Sequence, residues 1–497
     1  MTKPKSSEPE KPSAQGGRVA TVGTYGFTNA LPRITGALLA IIYTADFTLA
    51  EYGGYGILSV MTLLLSVFMD LGIGQAIMRN YYDHQHDWPR ARRYLADAIV
   101  SADVIALISL PILGAALYWG WKYSGIESFD RNSYIILVLA LALCERTSTM
   151  MSLLLRATER PMNYARGPVI DSAVSLICGI AFVRFFHWGV MGAIGAALCG
   201  RLASTLIYRF TLWHVLKIRG GRMDSSLIKK CLAFGLPLIP TRFAVWLRES
   251  GLRPILTHVT SLASVGIFSL ASSVAVLPSL ISTAVDLALS PYYLKQRTFG
   301  IEGFTARLED FTIIMLAVLT PVWAAMILFS RQLIELIIGE HYIASAPISG
   351  ILLCASFLRM QQPFFVRQIQ FMRRTWIQSV VMVPTALASV ALSLLFAAKY
   401  GIIFAAYGVL FAEIAGYIAF SLFIRAYEPL HFPLAVASGL SITLISLAVG
   451  NTWGSYMFVE IWSLLLVKFA ILLVLTLACL FFWIWPKRAF LWHIVRH

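Results

Sequence analysis

Charge is scarce in this chain. Lys, Arg, Asp and Glu make up 13% of its 497 residues, while 58% are hydrophobic. A soluble domain carries about 25% charged residues, so this composition excludes an ordinary soluble enzyme and points to a membrane protein. The six cysteines (Cys144, Cys178, Cys199, Cys231, Cys354 and Cys479) form no CxxC or CxxH pair. That leaves no disulfide framework and no zinc site, and makes them small apolar packing residues. Walker A, HExxH and GxSxG patterns are also missing, so ATP-driven pumping and intramembrane hydrolysis lack a motif. His84 and His86 form an HxH with no further ligand nearby and read as a solvated loop. No resident cofactor or metal is expected.

Long hydrophobic runs are what the sequence has in abundance. A bilayer core about 30 Å thick needs about 20 apolar residues per helix. By that ruler the chain holds about fourteen spans, from 21–45 and 55–78 through to 432–450 and 462–485. The opening MTKPKSSEPEKPSAQGGR predicts a disordered polar tail. It has neither the apolar core nor the cleavage site of a signal peptide, so the first span is expected to remain uncleaved. The longest connections, near 79–95, 214–230 and 291–309, are too short for an independent catalytic domain.

The formal net charge of +15 would suit a nucleic acid if it lined one face, but it alternates along the chain. Connections on the side of the N-terminus carry most of the 40 basic residues, among them Arg90, Arg92, Arg93, Lys229, Lys230, Arg373 and Arg374. The opposite connections hold Lys122, Arg131, Arg184, Arg331 and Lys399. This is the positive-inside pattern, which places both termini in the cytoplasm and removes the case for a nucleic-acid partner.

The halves also resemble each other. YGFTNALPR ends at Arg33 and FGLPLIPTR at Arg242, 209 residues on. Gly56, Ile57 and Ser59 match Gly266, Ile267 and Ser269 at a shift of 210, and Tyr81-Tyr82 matches Tyr292-Tyr293 at 211. Trp188-Gly189-Val190 then answers Tyr400-Gly401-Ile402 at 212. So steady a shift marks an internal repeat. Each repeat spans six helices, and an even number gives both the same orientation, related by an axis along the membrane normal. The expected fold is all-α and polytopic, with two parallel-related six-helix bundles around a central cavity and an appended helix pair. The expected divisions are a tail over 1–18, bundles over 19–222 and 223–428, and the appended pair with a second tail over 429–497.

Eight basic residues fall inside apolar spans: Arg33, Arg146, Arg201, Arg242, Arg248, Arg253, Arg359 and Lys468. Each costs about 2.5–3.5 kcal/mol at a helix centre, so each should face a cavity or a partner. Arg33 and Arg242 hold equivalent places beside prolines (Pro32 and Pro240), where a helix break could free backbone to line a cavity. Arg242, Arg248, Glu249 and Arg253 crowd one span, and a uniform helix puts Arg242, Glu249 and Arg253 on roughly one face. Arginines in a dry cavity suit a phosphate or pyrophosphate, which guanidinium meets with two parallel bonds. Arg33, Arg242, Arg248 and Arg253 are therefore the candidate substrate-binding residues; the alternative makes Glu249 a strut to Arg253 or Arg242. Among embedded acids, Glu145 adjoins Arg146 and Glu413 falls opposite Arg201 in the repeat register. Glu145, Glu249, Asp286 and Glu413 are candidates for ion pairs between helices or for proton or sodium coupling. Asp70 is read as fixing a helix terminus.

Three stretches carry a family resemblance. EYGGYGILSVMTLLLSVFMDLGIGQAIMRNYYD (51–83), the run from FGLPLIPTR to the closing Pro-Tyr-Tyr (234–293) and KYGIIFAAYGVLFAEIAGY (399–417) resemble the polysaccharide biosynthesis (Wzx-like) flippases. That family belongs to the multidrug/oligosaccharidyl-lipid/polysaccharide (MOP) exporter superfamily. The resemblance implies a non-enzymatic transporter of the bacterial inner membrane. It would flip an undecaprenyl-pyrophosphate-linked oligosaccharide to the periplasmic leaflet for O-antigen (lipopolysaccharide), capsule or exopolysaccharide export. Arg33 and Arg242 become cavity residues, and a polysaccharide polymerase and a chain-length regulator become expected partners beside membrane lipid. Competing readings are a cation-coupled multidrug exporter of the same superfamily, a lipid II flippase and a membrane-embedded enzyme of glycan assembly.

Overall fold

The computed structural model describes residues 16–82, 87–124, 126, 129–158, 161–279, 281, 301–371, 376–427, 434–454 and 461–484. Most of the N-terminal tail, His84 and His86, Asp286 and the Pro-Tyr-Tyr motif lie outside them. Among the described residues all regular structure is helical. The first half contains α1 (Gly16–Asp46), α2 (Leu49–Asp70), α3 (Ile73–Tyr82), α4 (Trp88–Gly120), α5 (Arg131–Ala157), α6 (Pro161–Gly179) and α7 (Gly189–Phe210). The second contains α8 (Ser225–Gly235), α9 (Ile239–Trp246), α10 (Leu252–Leu256), α11 (Leu262–Val276), α12 (Ile301–Leu328), α13 (Ser330–Ile337), α14 (Ser345–Met360), α15 (Gln362–Phe371), α16 (Trp376–Tyr400) and α17 (Ile402–Tyr427). Two further helices follow, α18 (Leu434–Gly454) and α19 (Ile461–Ala478).

Local chemistry fixes several ends. At the start of α2, Thr48 and Glu51 form a capping box: Glu51 N–H donates to Thr48 Oγ1 at 3.3 Å, and Thr48 N–H to Glu51 Oε2 at 2.9 Å. Asp87, Asp130, Asp224 and Ser261 cap four other helices with their side-chain oxygens. The span expected over 55–78 is two helices, because Leu71 (φ 47°) and Gly72 (φ 74°) turn left-handed and end α2. The seventh span is also in pieces. A 3₁₀ turn over Leu236–Leu238 separates α8 from α9, and a π-turn over Leu247–Gly251 separates α9 from α10. By contrast, α1 runs through Pro32 without a break.

Nine helical stretches among the described residues are long and apolar enough to cross a bilayer. They become ten if α12 and α13, bent by 62° at Phe329, form one broken span; two shorter apolar helices accompany them. The expected fourteen is not reached within these residues. Outward-facing surfaces are apolar: on α19, Leu466, Phe469, Leu473 and Leu477 stand exposed at helical spacing, as a helix facing hydrocarbon requires.

The halves touch along α2 and α11, helices that the repeat makes equivalent. A Cβ at Gly53 would overlap the Leu262 carbonyl and come within 3.0 Å of Gly266 N. At the far end of α2, a Cβ at Gly72 would lie 2.6 Å from Gly235 Cα. Small residues let the backbones meet at both ends of α2. The appended helices hold the α12–α13 break: Asn451 Nδ2 donates to Ile327 O at 2.8 Å, and Lys468 Nζ to Leu328 O at 2.7 Å and Gln332 Oε1 at 3.3 Å. Carbonyls freed by the bend thereby regain donors.

Candidate functional site

Between the halves lies a cavity of about 360 Å³. Its wall brings together Arg33 from α1, Arg248 and Glu249 from the π-turn, Arg253 from α10, Ser272 from α11 and Arg359 from α14. Arg33 and Arg253 also line an adjoining apolar cavity of about 470 Å³, which continues past Tyr52, Tyr55 and Ser59 to Leu333 and Ile337. The two arginines thus stand where a polar chamber meets an apolar one. Arg33 and Glu249 are exposed to this space and Arg253 is half-buried. Among the described residues no carboxylate pairs with Arg253. A third cavity, about 670 Å³, lies between α3, α4 and α8, where Arg79 and Lys230 face Asp97 and Asp224. Its charges cancel, which makes it a poorer anion site despite its size.

Behind the first cavity the charges are tightly ordered. Glu413, on α17, is fully buried. It accepts from Nε of Arg248 at 2.8 Å, with Nη2 of the same side chain closing a two-point contact. Arg359 donates to Oε1 through Nε at 3.2 Å and Nη2 at 2.9 Å. Gln362 closes the group, accepting from Arg248 Nη1 at 2.7 Å and donating to Glu413 at 3.3 Å. A lone carboxylate here would carry a heavy desolvation cost; four charge-assisted bonds and an amide offset it.

The first half carries two ion-pair groups, one of them of opposite polarity. Arg201, the repeat counterpart of Glu413, bonds Glu145 at 2.5 Å and Asp171 at 3.0 Å. Asp103 holds Arg146 at 3.1 Å and Arg209 at 2.6 Å. Glu145 and Glu413 therefore both sit in interhelical ion pairs.

Arg242 departs from the expectation. Its guanidinium bonds Asp70 at the end of α2 and does not line the cavity. Two causes combine. The π-turn over Leu247–Gly251 spoils the uniform period that had put Arg242 on the face of Glu249 and Arg253. In addition, the end of α2 offers Asp70 to Arg242. Glu249 is a strut to neither Arg242 nor Arg253 and lies open to the cavity. Arg359 and Gln362 were not foreseen as site residues. Arg359 was visible as an embedded cation, but its distance along the chain from Arg248 hid the grouping.

Residues 47–347 match the family model described as "Polysaccharide biosynthesis protein". The chain belongs to this family. The matched stretch contains Arg248, Glu249 and Arg253 and leaves Arg33, Arg359 and Glu413 outside. Among solved structures the fold is similar to the lipid II flippase MurJ in its inward closed conformation, with a TM-score of 0.70 at 15% identity over 92% of this chain and 97% of that one. It is also similar to an inward-facing multidrug resistance MATE transporter of the MOP superfamily, at 0.60, with 15% identity over 82% and 98%. A MATE protein in complex with MaL6 gives 0.55, at 15% identity over 82% and 96%. At such identity the likeness is one of fold. Among curated sequences no protein matches the chain.

Proposed function

We propose that this family member is a flippase of the bacterial inner membrane, with both termini cytoplasmic. Its substrate would be an oligosaccharide on a polyprenyl pyrophosphate, moved by alternating access to the periplasmic leaflet for O-antigen, capsule or exopolysaccharide export. One observation carries the reading. Among the described residues, four arginines against two carboxylates build the cavity and its backing, a lining rich in guanidinium. A pyrophosphate diester is a doubly charged anion, and guanidinium is the side chain suited to hold it with paired bonds. An exporter of organic cations would need the opposite sign. A lipid II flippase remains the second reading, because its substrate carries the same pyrophosphate and MurJ has this fold.

Charge neutralisation also supplies a source of direction. The loaded cavity crosses nearly uncharged, whereas the empty cationic cavity returns toward the negative cytoplasm. That return gains about 2.3 kcal/mol per charge per 100 mV. Coupling to protons or sodium through Glu145 or Glu413 is less favoured by their bonding to arginine. A polymerase and a chain-length regulator fit as downstream partners.

Complementation tests this reading. In a strain lacking its own O-unit flippase, wild type should restore surface polysaccharide and Arg253→Ala, at equal expression, should not. Restoration instead in a strain depleted of its lipid II flippase would assign the chain to the second reading. Full activity of Arg253→Ala would remove the cavity from the mechanism.

A further inference from the structure

A fully buried carboxylate beside an anion-binding cavity is electrostatically out of place, since it repels the ligand that the cavity would hold. Glu413 is such a group. Its two oxygens are occupied by Arg248, Arg359 and Gln362, which leaves little room for a metal ion or a proton. The two arginines are held unequally. Arg248 spends Nε, Nη1 and Nη2 on Glu413 and Gln362, and its side chain is only 3% exposed. Arg359 gives Nε and Nη2 to Glu413, yet its side chain stays 28% exposed on the cavity wall.

We infer that Glu413 is the positioning residue of the anion cavity: one buried carboxylate locks Arg248 as a fixed charge and aims Arg359 at the ligand. This rests on the anion-binding reading proposed above. Two guanidiniums drawn to one oxygen repel each other, and the carboxylate between them is what keeps both in place. Arg359 is thereby pre-organised, so little rotamer freedom is lost when an anion binds. The inference reverses what charge counting predicts. Removing a negative charge from an anion site should tighten binding, whereas removing its template should weaken it.

The test uses the full chain, purified in lipid nanodiscs and titrated with farnesyl pyrophosphate. Wild type should bind. Glu413→Gln should bind at least tenfold more weakly despite the added positive charge, and Glu413→Asp should recover part of the loss. Arg359→Ala should weaken binding in the wild-type background and add less than twofold on top of Glu413→Gln, because the two act as one unit. A residue that only supported the fold would lower the melting midpoint without this non-additivity. If wild type binds and Glu413→Gln binds equally or more tightly, the positioning role is overturned and the anion cavity stands. If wild type does not bind, the anion reading falls and the inference falls with it. Should Glu413→Gln not fold, Arg359→Lys decides: it keeps the charge and loses the two-point contact, so a loss of at least fivefold is expected and unchanged affinity contradicts the inference.

Discussion

At Arg242 the guanidinium is committed to Asp70, and the two side chains keep 26% and 12% of their surface exposed. Asp70 also accepts from Gly74 N–H at 3.3 Å, so the pair ties the end of the α2–α3 turn to α9. Removing either partner strands the other in a half-dry setting, which costs about 2 kcal/mol, between the values for exposed and buried pairs. Arg242→Ala and Asp70→Ala should each lower the melting midpoint in detergent, and the exchanged pair Asp70→Arg with Arg242→Asp should recover most of it. If Arg242 were instead a headgroup ligand, Arg242→Ala would abolish transport at unchanged stability. The sequence could show that Arg33 and Arg242 were equivalent by repeat and costly in hydrocarbon. It could not show which had a carboxylate within reach, because Asp70 lies 172 residues from Arg242. The grouping of Arg359 was hidden for the same reason, since it lies 54 positions from Glu413.

Helices were far easier to read than their interruptions. Long apolar runs locate spans because every backbone group in hydrocarbon must be satisfied within its own segment. Interruptions depend on single residues. The TLAE capping box at Thr48 and the glycine at Gly72 were present as signals, while the π-turn at Leu247–Gly251 has no such mark. The bend between α12 and α13 belongs with this group, and its stability rests on the appended helices. Lys468→Met would strip Leu328 O of its donor within the protein, at about 1–3 kcal/mol for an unsatisfied buried acceptor. It should lower the melting midpoint and speed proteolysis between α12 and α13, both checked on purified protein. Unchanged digestion and melting would mean that the appended pair does not brace the break.

For the whole molecule, α2 is the element that both halves share. It meets α11 at Gly53 and Gly266 at one end, and the α8 terminus at Gly72 and Gly235 at the other. The arginine cavity is lined by α1 of the first half and by α10, α11 and α14 of the second. Rocking the halves apart about either contact would open the cavity to one side at a time, as alternating access demands. The most direct measurement is headgroup transfer in proteoliposomes that hold a fluorescent polyprenyl-pyrophosphate saccharide, timed by a headgroup-modifying enzyme added outside. The account predicts that wild type accelerates exposure of the headgroup, that an imposed potential changes the rate, and that Arg33→Ala and Arg253→Ala bring it back to the protein-free rate. Equal rates with and without the protein, or undiminished transfer by both variants, would contradict it.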